Sequence, residues 1–429
     1  MIVAYLTYDT HSLLACSLTC YSWYIAAVLH LHRTLIISTY WRCRNDKFRW
    51  PKPFLYMREL GLLPLVTEFQ INTHLHTDPD GFSPKFFNCC TLRQFSALSN
   101  VQELGIGYLN IHKFMPKIRR YFGHFLPTVR SLALTKPKGS HRQILYFIGL
   151  FRHLADLKLL DGVSNSQEGP TIDLTPVPPF SPPLRGLLTM KNFRSVGFLK
   201  DMIDLFGGIR FRYMDLLDVD GMRLLLNACV ETLEILRLYP GDFRGEEASL
   251  DHMQVIADDF SASLSRGDID LSQHKSLRAI EVMASYLGGR PNFLVYVLST
   301  ITSPTFSEVV IFYREYDFHG VGAFPHRPVP HLMLKDKVKE ALWYLTRFEL
   351  FRELHRVRGF RLVLCLDVWD RVMECTVRAL KRAVAAEKAK GGFCSPFFEP
   401  LLIHNPRRYD PKDTETWFID TRSNPWVPL

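Results

Sequence analysis

The chain is short of the spaced residue groups that catalysis and metal binding require. Its nine cysteines include no Cys-x-x-Cys pair, which excludes a zinc ribbon and a dithiol redox motif. There is no His-Glu-x-x-His, no Gly-Lys-Ser/Thr phosphate loop and no Gly-x-Ser-x-Gly elbow. Gly105-x-Gly107 lacks the third glycine of a dinucleotide loop. His74-x-His76 with Asp78 is the densest set of ligand-type side chains, and it falls short of the three or four convergent ligands zinc requires. Asp218-x-Asp220-Gly221 opens like a calcium loop, but the acid that should close it is displaced to Glu231. The expectation is a non-enzyme with no cofactor and no metal.

Two further absences concern charge. From Thr10 to His32 no residue carries a formal charge. That run is broken by Ser12, Ser17, Thr19, Cys20, Ser22 and Tyr24, and Asp9 stands where a signal peptide would be positive. Arg33, Arg42, Arg44 and Lys47 follow it as an anchor would require, yet two short helices fit better, so no membrane partner is expected. Between Glu103 and Asp156 there is no Asp or Glu, whereas Lys113, Lys117, Arg119, Arg120, Arg130, Lys136, Lys138, Arg142 and Arg152 fall there. From Asp215 to Asp270 the balance reverses, with 13 acids against four Arg. The net charge of +9 is the remainder of this bipolar pattern. The basic stretch reads first as a solvated helix face, and a nucleic-acid partner is not expected.

What is present is apolar mass. Of 429 residues 47% are hydrophobic, with Phe 31, Tyr 17 and Trp 7, which demands an extensive interior and excludes intrinsic disorder and a small disulfide scaffold. The odd, scattered cysteines (Cys16, Cys20, Cys43, Cys89, Cys90, Cys229, Cys365, Cys375, Cys394) lie mostly in apolar runs. They predict buried thiols in a reducing compartment, cytoplasmic or nuclear.

Two amphipathic helices are predicted at Thr10–Cys20 and Ser22–His32, with Leu13, Leu14 and Leu18 on one side of the first and Trp23, Ala27 and Leu31 on one side of the second. Leu35-Ile36-Ile37 then has strand character. From there apolar-x-x-apolar-x-apolar recurs, at Val66, Val101, Val129, Leu154, Phe211, Leu233, Leu277 and Phe306, with a degenerate copy at Leu184-x-x-Leu187. Three apolar positions are a weak signal alone; the intervals strengthen it because they switch to helical period. Ile111, Phe114, Met115, Ile118, Tyr121, Phe122 and Phe125 form one stripe, opposite Lys113, Lys117, Arg120 and His124. Ile144, Phe147, Ile148 and Phe151 form another. The expected fold class is α/β: a short N-terminal helical unit, then an irregular leucine-rich-repeat-like solenoid of parallel strands with outer helices. The Asn that would serve the backbone in the turn of each repeat is mostly missing.

The expected domains are 1–38 for the helices and 39–318 for the solenoid, with a Pro-rich loop at 164–183. Terminal helix–strand–helix repeats follow at 319–394 and an extended tail at 395–429. In the terminal repeats a helix near Lys337–Val357, a strand at Phe360–Leu366 and a basic helix at Asp370–Lys390 are predicted. Strand alternation puts Glu103, Ser131, Asp156, Lys158, Ile235 and Arg237 on the face opposite the core, as candidates for ligand contact.

The segment HSLLACSLTCYSWYIAAVLHLHRTLIIS resembles the second and third helices of an F-box, through Leu6, Leu13, Leu14, Cys16, Leu18, Cys20 and Trp23, with Leu35-Ile36-Ile37 as the following strand. NVQELGIGYLNIHKFMPKIRRYFGHFLPTVRSLAL and FIGLFRHLADLKLL are similar to the repeat region of F-box proteins numerous in mushroom-forming fungi. The family's Leu-Pro-x-Glu opening is not in the chain, and Ile2, Val3, Tyr5 and Leu6 correspond to what remains of that helix, so the match is to a truncated F-box. The resemblance implies a non-catalytic substrate receptor of a cullin–RING ubiquitin ligase. It would bind a Skp-type adaptor through Leu6, Leu13, Leu14, Leu18, Cys20 and Trp23, and a protein target through the repeats. The alternatives are an interaction scaffold that no longer engages a ligase and, further off, a nucleic-acid binder using Lys117, Arg119 and Arg120.

Overall fold

From Val66 to Phe211 each complete apolar-x-x-apolar-x-apolar segment builds one strand with two side chains directed into the interior. A computed structural model of the chain describes residues 10–38, 52–72, 95–115, 118–163, 184–219, 221–239, 269–283, 297–314, 359–366, 398–404 and 427–428. The chain divides into two units, Met1–Cys229 and Val230–Leu429.

The first unit opens with helices α1 (Thr10–Ser17) and α2 (Tyr21–Leu31) and strand β1 (Thr34–Ser38). Helix α3 (Lys52–Glu59), β2 (Glu68–Asn72) and β3 (Glu103–Gly107) follow, then the short helices α4 (Ile111–Phe114) and α5 (Ile118–Phe122). β4 (Ser131–Thr135), α6 (His141–Gly149), β5 (Asp156–Leu160), β6 (Leu187–Phe193), α7 (Val196–Leu205), β7 (Tyr213–Val219) and α8 (Met222–Ala228) complete it. The seven strands are all parallel and adjacent in sequence order, the arrangement that short strand–helix repeats produce.

Register aligns the inward residues into two rows. Leu35, Phe69, Leu104, Leu132, Leu157, Leu188 and Met214 make one; Ile37, Ile71, Ile106, Leu134, Leu159, Met190 and Leu216 make the other. All fourteen are 2% exposed or less. Behind them runs a chain of rings. Phe69, Phe95 and Phe125 pack with centroids 5.4–5.8 Å apart, and Phe122 meets Phe147 at 5.1 Å and Phe193 meets Phe198 at 5.2 Å. Each such side chain contributes roughly 1.5–3 kcal/mol by leaving water. The stripe expected from Ile111 to Phe125 is buried at Ile111, Phe114, Ile118, Tyr121, Phe122 and Phe125 and half-buried at Met115, while Lys113, Arg120 and His124 opposite are exposed and Lys117 lies outside the described residues. Helix α6 starts with a capping box: the Ser140 hydroxyl accepts the Gln143 N–H and the Gln143 side chain accepts the Ser140 N–H.

The missing turn asparagines are replaced by backbone bonding between repeats. Arg33 O accepts both Thr67 N (2.9 Å) and Glu68 N (3.1 Å); Thr67 O, Gln102 O and Arg130 O each accept two successive N–H groups from the next repeat in the same way. At the far end of the strands the chain turns with positive φ at Tyr108, Lys136, Asp161 and Asn192, which share one register position. The N–H groups of Tyr108, Lys136 and Asp161 donate to Thr135 O, Leu160 O and Lys191 O. Left-handed non-glycine residues cost about 1–2 kcal/mol each, so the repeated ladder is what holds this corner.

Three expectations differ in detail. The degenerate copy carries one extra residue: Leu188 and Met190 enter the core and Leu187 is half-exposed. The added residue is Gly186, where a Cβ would lie 2.0 Å from Asp156 Oδ1 and 2.8 Å from the Ala155 carbonyl. In the predicted first helix Leu13 packs inward with Cys16 and Ala27, whereas Leu14 and Leu18 face solvent, so the three leucines do not share a side. Cys16 and Cys229 are buried thiols as expected, but Cys20 is exposed because it stands at the break before α2.

In the second unit β8 (Ile235–Tyr239), β9 (Ala279–Met283), β10 (Glu308–Arg314), β11 (Gly359–Leu366) and β12 (Phe398–His404) are parallel neighbours. β13 (Val427–Pro428) runs antiparallel to β12. The entry device recurs: Glu234 O accepts Arg278 N and Ala279 N, and Arg278 O accepts Ser307 N and Glu308 N. β12 lies within the stretch expected as an extended tail. The 164–183 loop, the residues 315–358 with their expected helix, and the 370–390 helix lie outside the described residues.

Candidate interaction surfaces

Two faces of the first unit lie outside the two buried rows, the first of them with Ser131, Thr189 and Asp215 buried on it. The first is the side of the sheet opposite the two buried rows. Register places Thr34, Glu68, Glu103, Ser131 and Asp156 side by side on β1–β5, and Ile36, Gln70, Gly105, Ala133, Lys158, Thr189 and Asp215 in the next row across β1–β7. The expected contact residues Glu103, Ser131, Asp156 and Lys158 are thus brought together on three adjacent strands.

The carboxylates here are held at different depths. Glu68 accepts hydrogen bonds from the Thr34 hydroxyl at 2.8 Å and the Gln70 amide at 2.6 Å. Arg33 reaches past β2 to Glu103 Oε1 at 3.3 Å. Asp156 Oδ1 accepts the Leu187 N–H at 2.7 Å, next to the Gly186 insertion. Burial pushes the Glu103 carboxyl above its ordinary range; Glu68 and Asp156 add to this, and Lys158 and Arg33 oppose it without reversing it. Gly105 and Ala133 leave the middle of the face low, and Ser131 beside them is 8% exposed. The sequence had pointed to Glu103 and Asp156 singly; that Glu68 joins them follows only from register.

Ile235 and Arg237 belong to the second unit, on β8. Arg237 forms a close ion pair with Glu281, its register partner on β9, and both side chains are largely buried at 16% and 15% exposure. Its guanidinium is therefore a cross-strand tie. Ile235 is half-buried opposite Ala279.

The second face belongs to α1 and α2. Their own core consists of Leu13, Cys16 and Ala27, with Ala26 and Leu31 against it. Leu14 (48%), Leu18 (87%), Tyr21 (78%), Trp23 (38%), Tyr24 (46%), Ile25 (44%) and Leu29 (50%) are left exposed. Of the expected adaptor contacts, Leu14, Leu18, Cys20 and Trp23 are accessible, Leu13 is interior, and Leu6 lies outside the described residues. At α1 and its end the exposed Leu14 and Leu18 are one turn apart, and on α2 the exposed large side chains are spread around the helix.

One arrangement was not legible in the sequence. Ser195 Oγ lies 3.1 Å from His141 Nε2, and His141 Nδ1 lies 3.4 Å from Asp201 Oδ2. Ser195 is also the N-cap of α7, accepting the Phe198 N–H at 3.4 Å, and the His141 ring packs edge-on against Phe198 at 5.5 Å. The group ties the start of α6 to α7, with the serine engaged as a cap.

Among the described residues no three metal-ligating side chains converge, and no helix is long and apolar enough to cross a membrane. Arg119, Arg120, Arg142 and Arg152 are exposed on the helical side, away from the acidic row. Compared with known proteins, the chain matches no family model and no curated protein sequence.

Proposed function

We propose that the protein is a non-catalytic substrate receptor of a cullin–RING ubiquitin ligase. Its α1–α2 pair belongs to an F-box that docks on a Skp-type adaptor, and the sheet face opposite the core holds the protein to be modified. The observation that carries this is the exposed apolar set Leu14, Leu18 and Trp23 beside a helical core that, among the described residues, buries Leu13, Cys16 and Ala27. A buried apolar centre with a polar rim is what a stable protein interface needs, and Leu14, Leu18 and Trp23 supply such a centre.

The test is capture of a purified Skp-type adaptor by the full chain. Wild type is expected to retain the adaptor, and Leu14→Asp to lose it while keeping its melting temperature, since Leu14 is half-exposed. Absence of binding by wild type overturns the receptor function and leaves the interaction scaffold that engages no ligase.

A further inference from the structure

We infer that β1 is a self-pairing edge: two copies of this chain join antiparallel along β1 about a two-fold axis at Ile36, so that the sheet of one copy runs into the sheet of the other. The inference is independent of the adaptor face on α1–α2.

The backbone of β1 is paired on its β2 side. Arg33 O accepts Thr67 N and Glu68 N, so Arg33, Leu35 and Ile37 turn their backbone groups toward β2, and Thr34, Ile36 and Ser38 turn theirs away. Among the described residues no strand lies on that outer side, and no backbone group of β1 makes a hydrogen bond there. Natural edges of this kind are blunted by a lysine, a proline or a bulge. Thr34–Ser38 (TLIIS) has neither lysine nor proline, pairs with β2 without a bulge, and carries the β-branched residues Thr34, Ile36 and Ile37. From Thr10 to Trp41 Arg33 is the one residue with a formal charge, so two such edges meet without like charges directly opposite.

The order of residues in β1 selects a second copy as the occupant. A two-fold axis perpendicular to the sheet at Ile36 sets Thr34 opposite Ser38 of the second copy, Leu35 opposite its Ile37, and Ile36 opposite its own equivalent. Thr34, Ile36 and Ser38, whose groups point outward, then fall at the hydrogen-bonded pairs, and Leu35 and Ile37 at the closer pairs between them. The axis keeps both cores on one side of the joined sheet. Leu35 and Ile37, 2% and 0% exposed, belong to the two inward rows, which thereby continue across the junction. On the other side Ile36, 47% exposed, is covered by its equivalent. This is an isologous contact that closes at two copies. Helix α3, which packs on β1, leaves Tyr56 exposed and is followed by an exposed Leu60, which adds apolar surface beside the edge.

The experiment is sedimentation velocity of the full chain from low to high micromolar concentration. A five-residue edge is a small interface, so a concentration-dependent monomer–dimer equilibrium is expected. Ile36→Lys sets two ammonium groups face to face at the axis and should weaken association about tenfold or more. Its melting temperature should stay at the wild-type value, because Ile36 is half-exposed. Leu14→Asp, on the adaptor face, should leave association unchanged. The register is read separately by mild oxidation of Ile36→Cys: the two Cα atoms would lie roughly 5.5 Å apart, within disulfide reach. Ile36→Cys should therefore give a covalent dimer above the wild-type level, and Thr34→Cys should not, since Thr34 faces Ser38. Monomer at every concentration, association indifferent to Ile36→Lys, association lost in Leu14→Asp, or equal crosslinking of Thr34→Cys and Ile36→Cys overturns the inference.

Discussion

The sheet of the first unit and the α1–α2 pair are both built from apolar sequence and end in opposite states. In the sheet, every Leu, Ile, Phe or Met of the two inward rows is covered, because each strand supplies neighbours to the next. In the pair, helices of eight and eleven residues bury, among the described residues, Leu13, Cys16 and Ala27 and leave most of their large side chains outside. Hydrophobicity alone therefore does not say what is core. A repeated unit buries its apolar face on its own copies; among the described residues the pair has no such copies and leaves part of its apolar surface exposed.

The comparison breaks most readily in the core. Phe122→Ala removes a fully buried ring that touches Phe114 and Phe147, and should cost about 3–5 kcal/mol in urea unfolding. Leu14→Asp on the pair should stay within about 0.5 kcal/mol of wild type in the same assay, as surface substitutions do. A large loss there would mean that Leu14 is core after all.

A smaller effect is expected at the Gly186 insertion. Gly186→Ala places a methyl group against Asp156 Oδ1 and the Ala155 carbonyl, and should cost roughly 1–3 kcal/mol. If differential scanning calorimetry finds it neutral, the β5–β6 entry is looser than the Asp156 to Leu187 bond implies.

The smallest effect has the opposite sign. Burial and Glu68 raise the Glu103 pKa, so the folded protein binds that proton more tightly than the unfolded chain. The stability this provides is complete below the ordinary carboxylate range and is lost as pH rises through the raised value. Glu103→Gln should therefore melt slightly higher than wild type at neutral pH, with the difference fading once pH falls below about 4. Equal melting temperatures at all pH values would contradict the direction of the shift. A residue that costs stability in the sheet face is the counterpart of the exposed leucines on the pair: both are tolerated where a partner is expected to sit.

Much of the architecture was legible in the chain. The spacing Val101-x-x-Leu104-x-Ile106 and its copies located every strand from β2 to β10, because two inward side chains per strand need that period. Gly186 was missed since a single added residue leaves composition unchanged yet moves Leu188 in and Leu187 out. Helix period placed Leu13, Leu14 and Leu18 together, but which of them meets α2 depends on the angle at which the helices pack.

What the sequence by itself determined is the local order: strand, turn and helix, the apolar positions in each, the Ser140–Gln143 cap, and the contrast between basic and acidic stretches. Those depend on residues within a few places of one another. The tertiary structure decided which carboxylates are neighbours, since Glu68, Glu103 and Asp156 are separated by whole repeats and meet only through the parallel register. It also decided that Arg237 is paired with Glu281, that Leu13 is interior, and that the repeats bond through backbone carbonyls at Arg33, Thr67, Gln102 and Arg130. The physical reason is the same each time: a hydrogen bond or a charge pair is fixed by distance in space, which chain position does not specify until the core has closed.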